Sequence, residues 1–321
     1  METLRKEHNV QPKRTYRRDG DDLKKWVSIS HNETLSIESD DPADIFATNS
    51  TCVLTPQQWS GPYWVQGELV RSHIAEDQPG IPMRMLMEFV DAHTCQPIPW
   101  LMVDIWMCNS TGKYSGVSPG ENAGVNTTWL RGVQVTQADG TVQFDTILPG
   151  YYEGKLADTL AISTRSLTKI SVDRTNHIHV MTHSNSTIFR NGTYAGGKVQ
   201  HIGQLYFDQD LIETIEATFP YNMNTANVTR NSIDLPTPTA ASKDYDPFLK
   251  YAYVGDNLED GLLTWISIAI DTSADYTNGS IPAAIWGQDG GRDSGLSIEF
   301  PSITVVPTGT EEPPRGSTET P

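Results

Sequence analysis

Short apolar runs of period two, closed by turn signals, dominate the chain between about residues 46 and 290. Successive side chains of a strand point to opposite faces, so this period builds sheet and not helix. Met85, Met87 and Phe89 alternate within residues 85–90, and residues 101–106 form a second apolar run beyond a turn at Cys95-Gln96-Pro97. Residues 132–136 and 141–146 flank Asp139-Gly140, a strong hairpin-turn pair. Residues 177–182 read as a further strand, and 208–217 is the best helical candidate. The expected fold is all-β, a β-sandwich with short helices. Residues 1–45 are polar and aperiodic, and 291–321 are rich in Gly, Ser, Thr, Pro and Glu. Neither composition buries a core, so both are expected to be disordered tails around one domain at 46–290.

Charge narrows the function classes. Lys plus Arg number 23 and Asp plus Glu 40, giving a net charge of −17. That balance argues against nucleic acid, whose binding needs positive charge to displace counterions, and against a polybasic membrane-surface protein. The most apolar run, 261–270, is far too short to span a bilayer. Three Cys exclude a disulfide-rich scaffold and allow one intramolecular bridge, expected between Cys52 and either Cys95 or Cys108. Eight Asn-x-Ser/Thr sequons, at Asn32, Asn49, Asn109, Asn126, Asn185, Asn191, Asn227 and Asn278, point to the secretory pathway. Residues 1–25 lack the apolar stretch of a secretory signal. The expectation is an extracellular protein whose signal peptide is absent from this sequence.

His177-Ile178-His179 is the sharpest local feature. In a strand, residues i and i+2 share a face with Cα atoms roughly 6.5–7 Å apart, so both imidazoles reach one metal ion. Such a pair by itself is commonly structural. Here it stands in an ordered series: Gly61-Pro62-Tyr63-Trp64, Val103-Asp104-Ile105-Trp106, Gly112-Lys113-Tyr114-Ser115-Gly116, Leu148-Pro149-Gly150-Tyr151-Tyr152, Arg174, the His pair, and Gly203-Gln204-Leu205-Tyr206-Phe207. The series resembles the intradiol ring-cleavage dioxygenases, in particular their extracellular fungal members. The resemblance implies a non-haem Fe(III) held by Tyr114, Tyr152, His177 and His179. It implies that Tyr152 also takes a proton, that Arg174 stabilises developing negative charge with help from Gln204, and that Tyr63 and Trp64 line the substrate pocket. The partners it implies are a small aromatic diol and O₂, and the product a cis,cis-muconate-type diacid. The donor types are coherent, because two phenolates are hard donors that suit ferric iron, unlike the 2-His-1-carboxylate set of ferrous oxygenases. His183 continues the face of the His pair but lies outside the motif.

One departure from the family pattern stands out. Tyr152 lies 25 residues before His177, where relatives place it about six before. Removing 155–173 leaves Pro-Gly-Tyr-Tyr-Glu-Gly-Arg-Thr-Asn-His-Ile-His, which restores the motif. The expectation is a retained in-frame intron of 57 nucleotides, encoding these 19 residues. The rival is a surface-loop insertion, since long loops cost little closure entropy. A segment at this point puts the positions of Tyr152 and Arg174 in question. The competing functional expectation is a catalytically silent extracellular β-sandwich that binds polyphenol, glycan or protein.

Overall fold

A computed structural model describes residues 20–118, 122–154 and 172–296. Its strands are β1 (Val65–Gln66), β2 (Pro82–Asp91), β3 (Met102–Trp106), β4 (Arg131–Val135), β5 (Thr141–Ile147), β6 (Tyr152–Gly154), β7 (Val172–Arg174), β8 (His177–Ser184), β9 (Thr187–Ile188), β10 (Tyr194–Ala195), β11 (Lys198–Tyr206), β12 (Lys250–Tyr253), β13 (Leu262–Ile270), β14 (Ala284–Gly287) and β15 (Gly290–Asp293). Helices α1 (Gly20–Val27), α2 (Pro42–Asn49), α3 (Gln209–Glu216) and α4 (Thr237–Ala240) are short.

Two four-stranded sheets carry the architecture, in the orders β11-β8-β3-β4 and β12-β13-β2-β5. Neighbours are antiparallel except β13 and β2, which run parallel. The period-two pattern explains the core between them. Met83, Met85, Met87 and Phe89 of β2 belong to one buried cluster with Val103 and Ile105 of β3, Ile178 and Val180 of β8, and Leu205 of β11. Each such side chain contributes about 1.5–3 kcal/mol when fully buried. The alternate residues of β8, β3 and β11 therefore point away from this core. They include His177, His179, Asp104, Trp106 and Gln204, all buried nonetheless.

Three sequence expectations change. Residues 20–45 are not wholly tail. Leu86, Leu263 and Trp265 leave an apolar outer face on the second sheet, and Ile45 and Phe46 of α2 cover it. Leu23 of α1 packs with Tyr206 and Phe248. The Asp139-Gly140 turn exists, with the Asp139 carboxylate accepting from the Thr141 amide at 3.0 Å, but it does not close a hairpin. β4 pairs with β3 and β5 with β2, so the turn passes the chain from one sheet to the other. Turn chemistry sets a local reversal; which ladder each flank joins is set by the core. At the far end, β15 pairs with β14 and carries the ordered domain past residue 290. The calls on residues 1–19, 155–171 and 297–321 lie outside the described residues.

The helix expected at 208–217 is α3, preceded by Asp208 at its N-cap. Cys52 bonds to Cys95, and Cys108 is a buried thiol whose pKa burial pushes up to about 12. Among the described residues no helix is long and apolar enough to cross a membrane.

Candidate active site

The site forms on the outer face of the β11-β8-β3-β4 sheet, where β8 presents His177 and His179. Cross-strand register sets their neighbours: Tyr206 opposite His177, and Gln204 and Trp106 on either side of His179. The two Nε2 atoms lie 3.2 Å apart. The His177 Nδ1–H donates to the Thr175 carbonyl at 2.6 Å, which leaves its Nε2 carrying the lone pair. His179 stacks flat on Trp106, with centroids 4.8 Å apart and planes at 4°. Gly61 allows this packing: its φ is +69°, and an added Cβ would sit 3.3 Å from the His179 ring.

A loop and a short strand bring the phenols. The segment after β3 turns at Gly112, where an added Cβ would meet the Tyr151 carbonyl at 2.4 Å, and then delivers Tyr114. Arg131 holds that segment by donating to the Ser115 carbonyl at 2.7 Å, and its guanidinium lies over the Tyr114 ring at 5.9 Å. β6 delivers Tyr152, whose hydroxyl donates to His177 Nε2 at 3.5 Å. The Tyr114 and Tyr152 rings meet edge-on at 5.1 Å, and Tyr63 stacks on Tyr114 at 4.4 Å. Tyr63, Gly112, Lys113, Tyr152 and Glu153 are among the residues lining a small cavity of about 150 Å³.

Burial controls the protonation of the four. It holds His177 and His179 well below the usual imidazole value, and the Arg174 charge adds to this, so both rings are neutral and free to donate lone pairs. Burial also raises Tyr114 far above the usual phenol value, and Tyr152 to about 12 against the opposing pull of Arg174. A phenol in such a place ionises only beside a strong positive charge. His179 Nδ1 is buried without a hydrogen-bond partner. Among the described residues no group of three or more His, Cys, Asp or Glu is placed to hold a metal. The set offered here is different: two neutral imidazoles and two phenols packed together, with His177 Nε2 3.2 Å from His179 Nε2 and 3.5 Å from the Tyr152 hydroxyl, and the Tyr114 ring against Tyr152. It fits a hard, highly charged cation.

Arg174 sits beside this set. β6 and β7 pair Tyr152 directly with Arg174, and Gly154 with Val172, so Tyr152 and Arg174 are neighbours although 22 positions apart in the sequence. The Arg174 guanidinium donates to Asp234 at 2.8 Å and to Gln204 Oε1 at 2.5 Å. Burial works against its charge, but Asp234, together with Tyr152 and Tyr206, offsets that and raises its pKa. The structure thus brings together Tyr63, Tyr114, Tyr152, Arg174, His177, His179 and Gln204.

Trp64 differs from expectation. Its indole N–H donates to Asp104 at 3.0 Å and its ring stacks on His183 at 6.1 Å, while the Tyr194 hydroxyl donates to the same Asp104 oxygen at 2.8 Å. Trp64 follows Tyr63 on a turn, so the two rings diverge, and Trp64 belongs to this buried polar cluster and not to the cavity wall. Sequence reasoning also missed Asp234, which sits in a loop about 60 residues from Arg174, where no spacing rule connects them.

The fold and site define a dioxygenase-type sandwich, and comparison with known proteins agrees. A dioxygenase family model matches residues 59–216. An intradiol ring-cleavage dioxygenase from Tetranychus urticae is 30% identical, with a TM-score of 0.55 over 70% of this chain and 98% of its own. A second structure, the dioxygenase Tetur07g02040, is 29% identical, with a TM-score of 0.54 over 71% of this chain and 98% of its own. No curated protein sequence matches the chain. The chain belongs to the intradiol ring-cleavage dioxygenase family.

Proposed function

We propose that the chain is an Fe(III)-dependent oxidoreductase that cleaves a catechol-type ring with O₂ to a cis,cis-muconate-type diacid, outside the cell. The observation that carries this reading is the convergence of Tyr114, Tyr152, His177 and His179 beside a small cavity. These four side chains would hold the iron, which when bound supplies a Lewis acid that chelates the diol and draws charge from its ring. Tyr152 borders the cavity and, as a phenolate, takes a proton from the entering diol at its own oxygen. Tyr63 forms one wall and orients the ring. The Arg174 guanidinium stabilises negative charge as it develops, a preorganised electrostatic role in a site shielded from water. Gln204 assists through its amide, whose Nε2 is buried and unpartnered. The extracellular assignment draws support from the sequons, six of which sit on exposed Asn.

The test is ferric reconstitution followed by oxygen electrode and ultraviolet product assays with catechol. A red-brown protein that consumes O₂ and forms a muconate-type chromophore is expected. A colourless protein that takes up no ferric ion would sink the proposal.

A further inference from the structure

We propose that Asp234 is a positioning residue for this site, fixing the Arg174 guanidinium against Gln204 from outside the hairpin that carries Arg174. Arg174 is the last residue of β7, which among the described residues pairs only with the short β6. A three-residue ladder is a weak hold for a side chain that must stay within about half an ångström of a productive place. The hold comes from elsewhere.

Arg174 Nε donates to Asp234 Oδ1 at 2.8 Å, with the Asp234 side chain fully buried. Asp234 is itself pinned: Oδ2 accepts the Thr237 hydroxyl at 2.6 Å and the Thr237 amide at 3.2 Å, while Oδ1 also accepts the Thr175 amide at 3.3 Å. The next two residues are fixed as well, Thr175 to Asn231 at 2.9 Å and Asn176 to the Pro149 carbonyl at 2.8 Å. Strand entry into β8 is thus anchored at Arg174, Thr175 and Asn176 in turn.

The consequence reaches Gln204. Its Oε1 accepts both Arg174 Nη2 at 2.5 Å and the Tyr206 hydroxyl at 2.9 Å, which turns Nε2 away from them and leaves it without a protein partner. Among the described residues the Asp234 carboxylate accepts from Arg174, Thr175 and Thr237 and from none of Tyr114, Tyr152, His177 and His179; it acts through Arg174. A neutral side chain at 234 keeps the shape but leaves the guanidinium free to turn elsewhere.

This rests on the proposed role of Arg174, so the test has two arms. In the ferric-loaded full chain, D234N should lower kcat on catechol by about tenfold or more, with the tyrosinate charge-transfer band unchanged; in an R174Q background the same change should cost less than about twofold. D234E should recover part of the loss. In crystals of the metal-free chain, D234N should part Arg174 from Gln204 while Tyr114, Tyr152, His177 and His179 stay in place. Should D234N not fold, T237V strips one donor from Asp234 and should act in the same direction with smaller amplitude. Equal kcat losses in both backgrounds, or a D234N crystal with Arg174 still against Gln204, would overturn the assignment. If the wild-type chain turns over no catechol, the functional reading fails, and the crystals still decide the role of Asp234.

Discussion

His177 Nε2 lies 3.2 Å from His179 Nε2, in a buried site where the His177 Nδ1–H is already committed to Thr175. Two neutral ring nitrogens that close share at most one proton, and a cation accepting both lone pairs satisfies them together. H177A and H179A should therefore each weaken ferric binding by more than the roughly 10–100-fold typical of an outer-shell partner. Ferric titration followed by the visible charge-transfer band measures it. Wild-type affinity and colour in both variants would refute the ligand assignment.

The β6–β7 hairpin makes a prediction about length. Tyr152 and Arg174 are cross-strand partners. Deleting 155–173 leaves only Glu153-Gly154 between them, a two-residue loop, the commonest hairpin length, with Gly at its second position to take a positive φ. The shortened chain should load iron and show the same band position as the full chain. If it folds but stays colourless while the full chain colours, the segment is needed for the site, and the retained-intron expectation fails. Complementary DNA that always carries the 57 nucleotides would count against it independently.

Trp64 offers a contrast between packing and chemistry. W64F removes an N–H donor from buried Asp104, which costs about 1–3 kcal/mol of stability. Thermal unfolding should register the loss, while KM for catechol should stay within about twofold because the ring lies off the cavity wall. A large KM change with unaltered stability would return Trp64 to the pocket.

His31 ties the N-terminal segment to the domain and titrates usefully. Its Nδ1 contacts Asp208, and its Nε2 lies 2.8 Å from Asp246, with Glu33 also nearby. Burial lowers its pKa, but hydrogen bonds to the two carboxylates overcome this and push it up to about 9. A folded pKa above the unfolded value of about 6.5 means stability that is fully present below 6.5 and lost as pH rises through 9. Glu68, raised by burial to about 8, gives its own decline between about 4.5 and 8. The difference between wild type and H31Q isolates the His31 part: it should shrink between pH 6.5 and 9 in urea melts. A constant difference across that window would remove the carboxylate clamp as its cause.

Glycan occupancy tests the extracellular proposal at residue level. Asn32, Asn126, Asn185, Asn191, Asn227 and Asn278 are exposed. Asn109 is committed: its Oδ1 accepts the Thr111 and Lys113 amides and its Nδ2 donates to Gln78 at 2.9 Å. Glycopeptide mass spectrometry after secretion from a eukaryotic host should find glycan on the exposed set and none on Asn109. A chain that is secreted without any glycan would undercut the sequon argument.

Much was legible in local pattern. Period-two alternation gave the strands, because facing is a property of neighbouring residues in a pleat. His177 and His179 declared a shared face for the same reason, and the order of the flanking motifs named Tyr114, Tyr152, Arg174 and Gln204. Other features needed the folded chain. Residues 139–140 form the expected turn, yet β4 and β5 join different sheets, since pairing answers to the core and not to the turn. Cys52 bonds to Cys95, while the fold buries Cys108 beside the Gly150 carbonyl, at 3.2 Å. Ile45 and Phe46, at the end of a largely polar segment, found an apolar sheet face to cover, and Trp64 found Asp104. Asp234 reached Arg174 across 60 residues of sequence. The sequence by itself determined which side chains are candidates for the chemistry and which strand faces they occupy; the tertiary structure decided which distant groups hold them still, because contacts between remote segments follow from packing and leave no periodic trace.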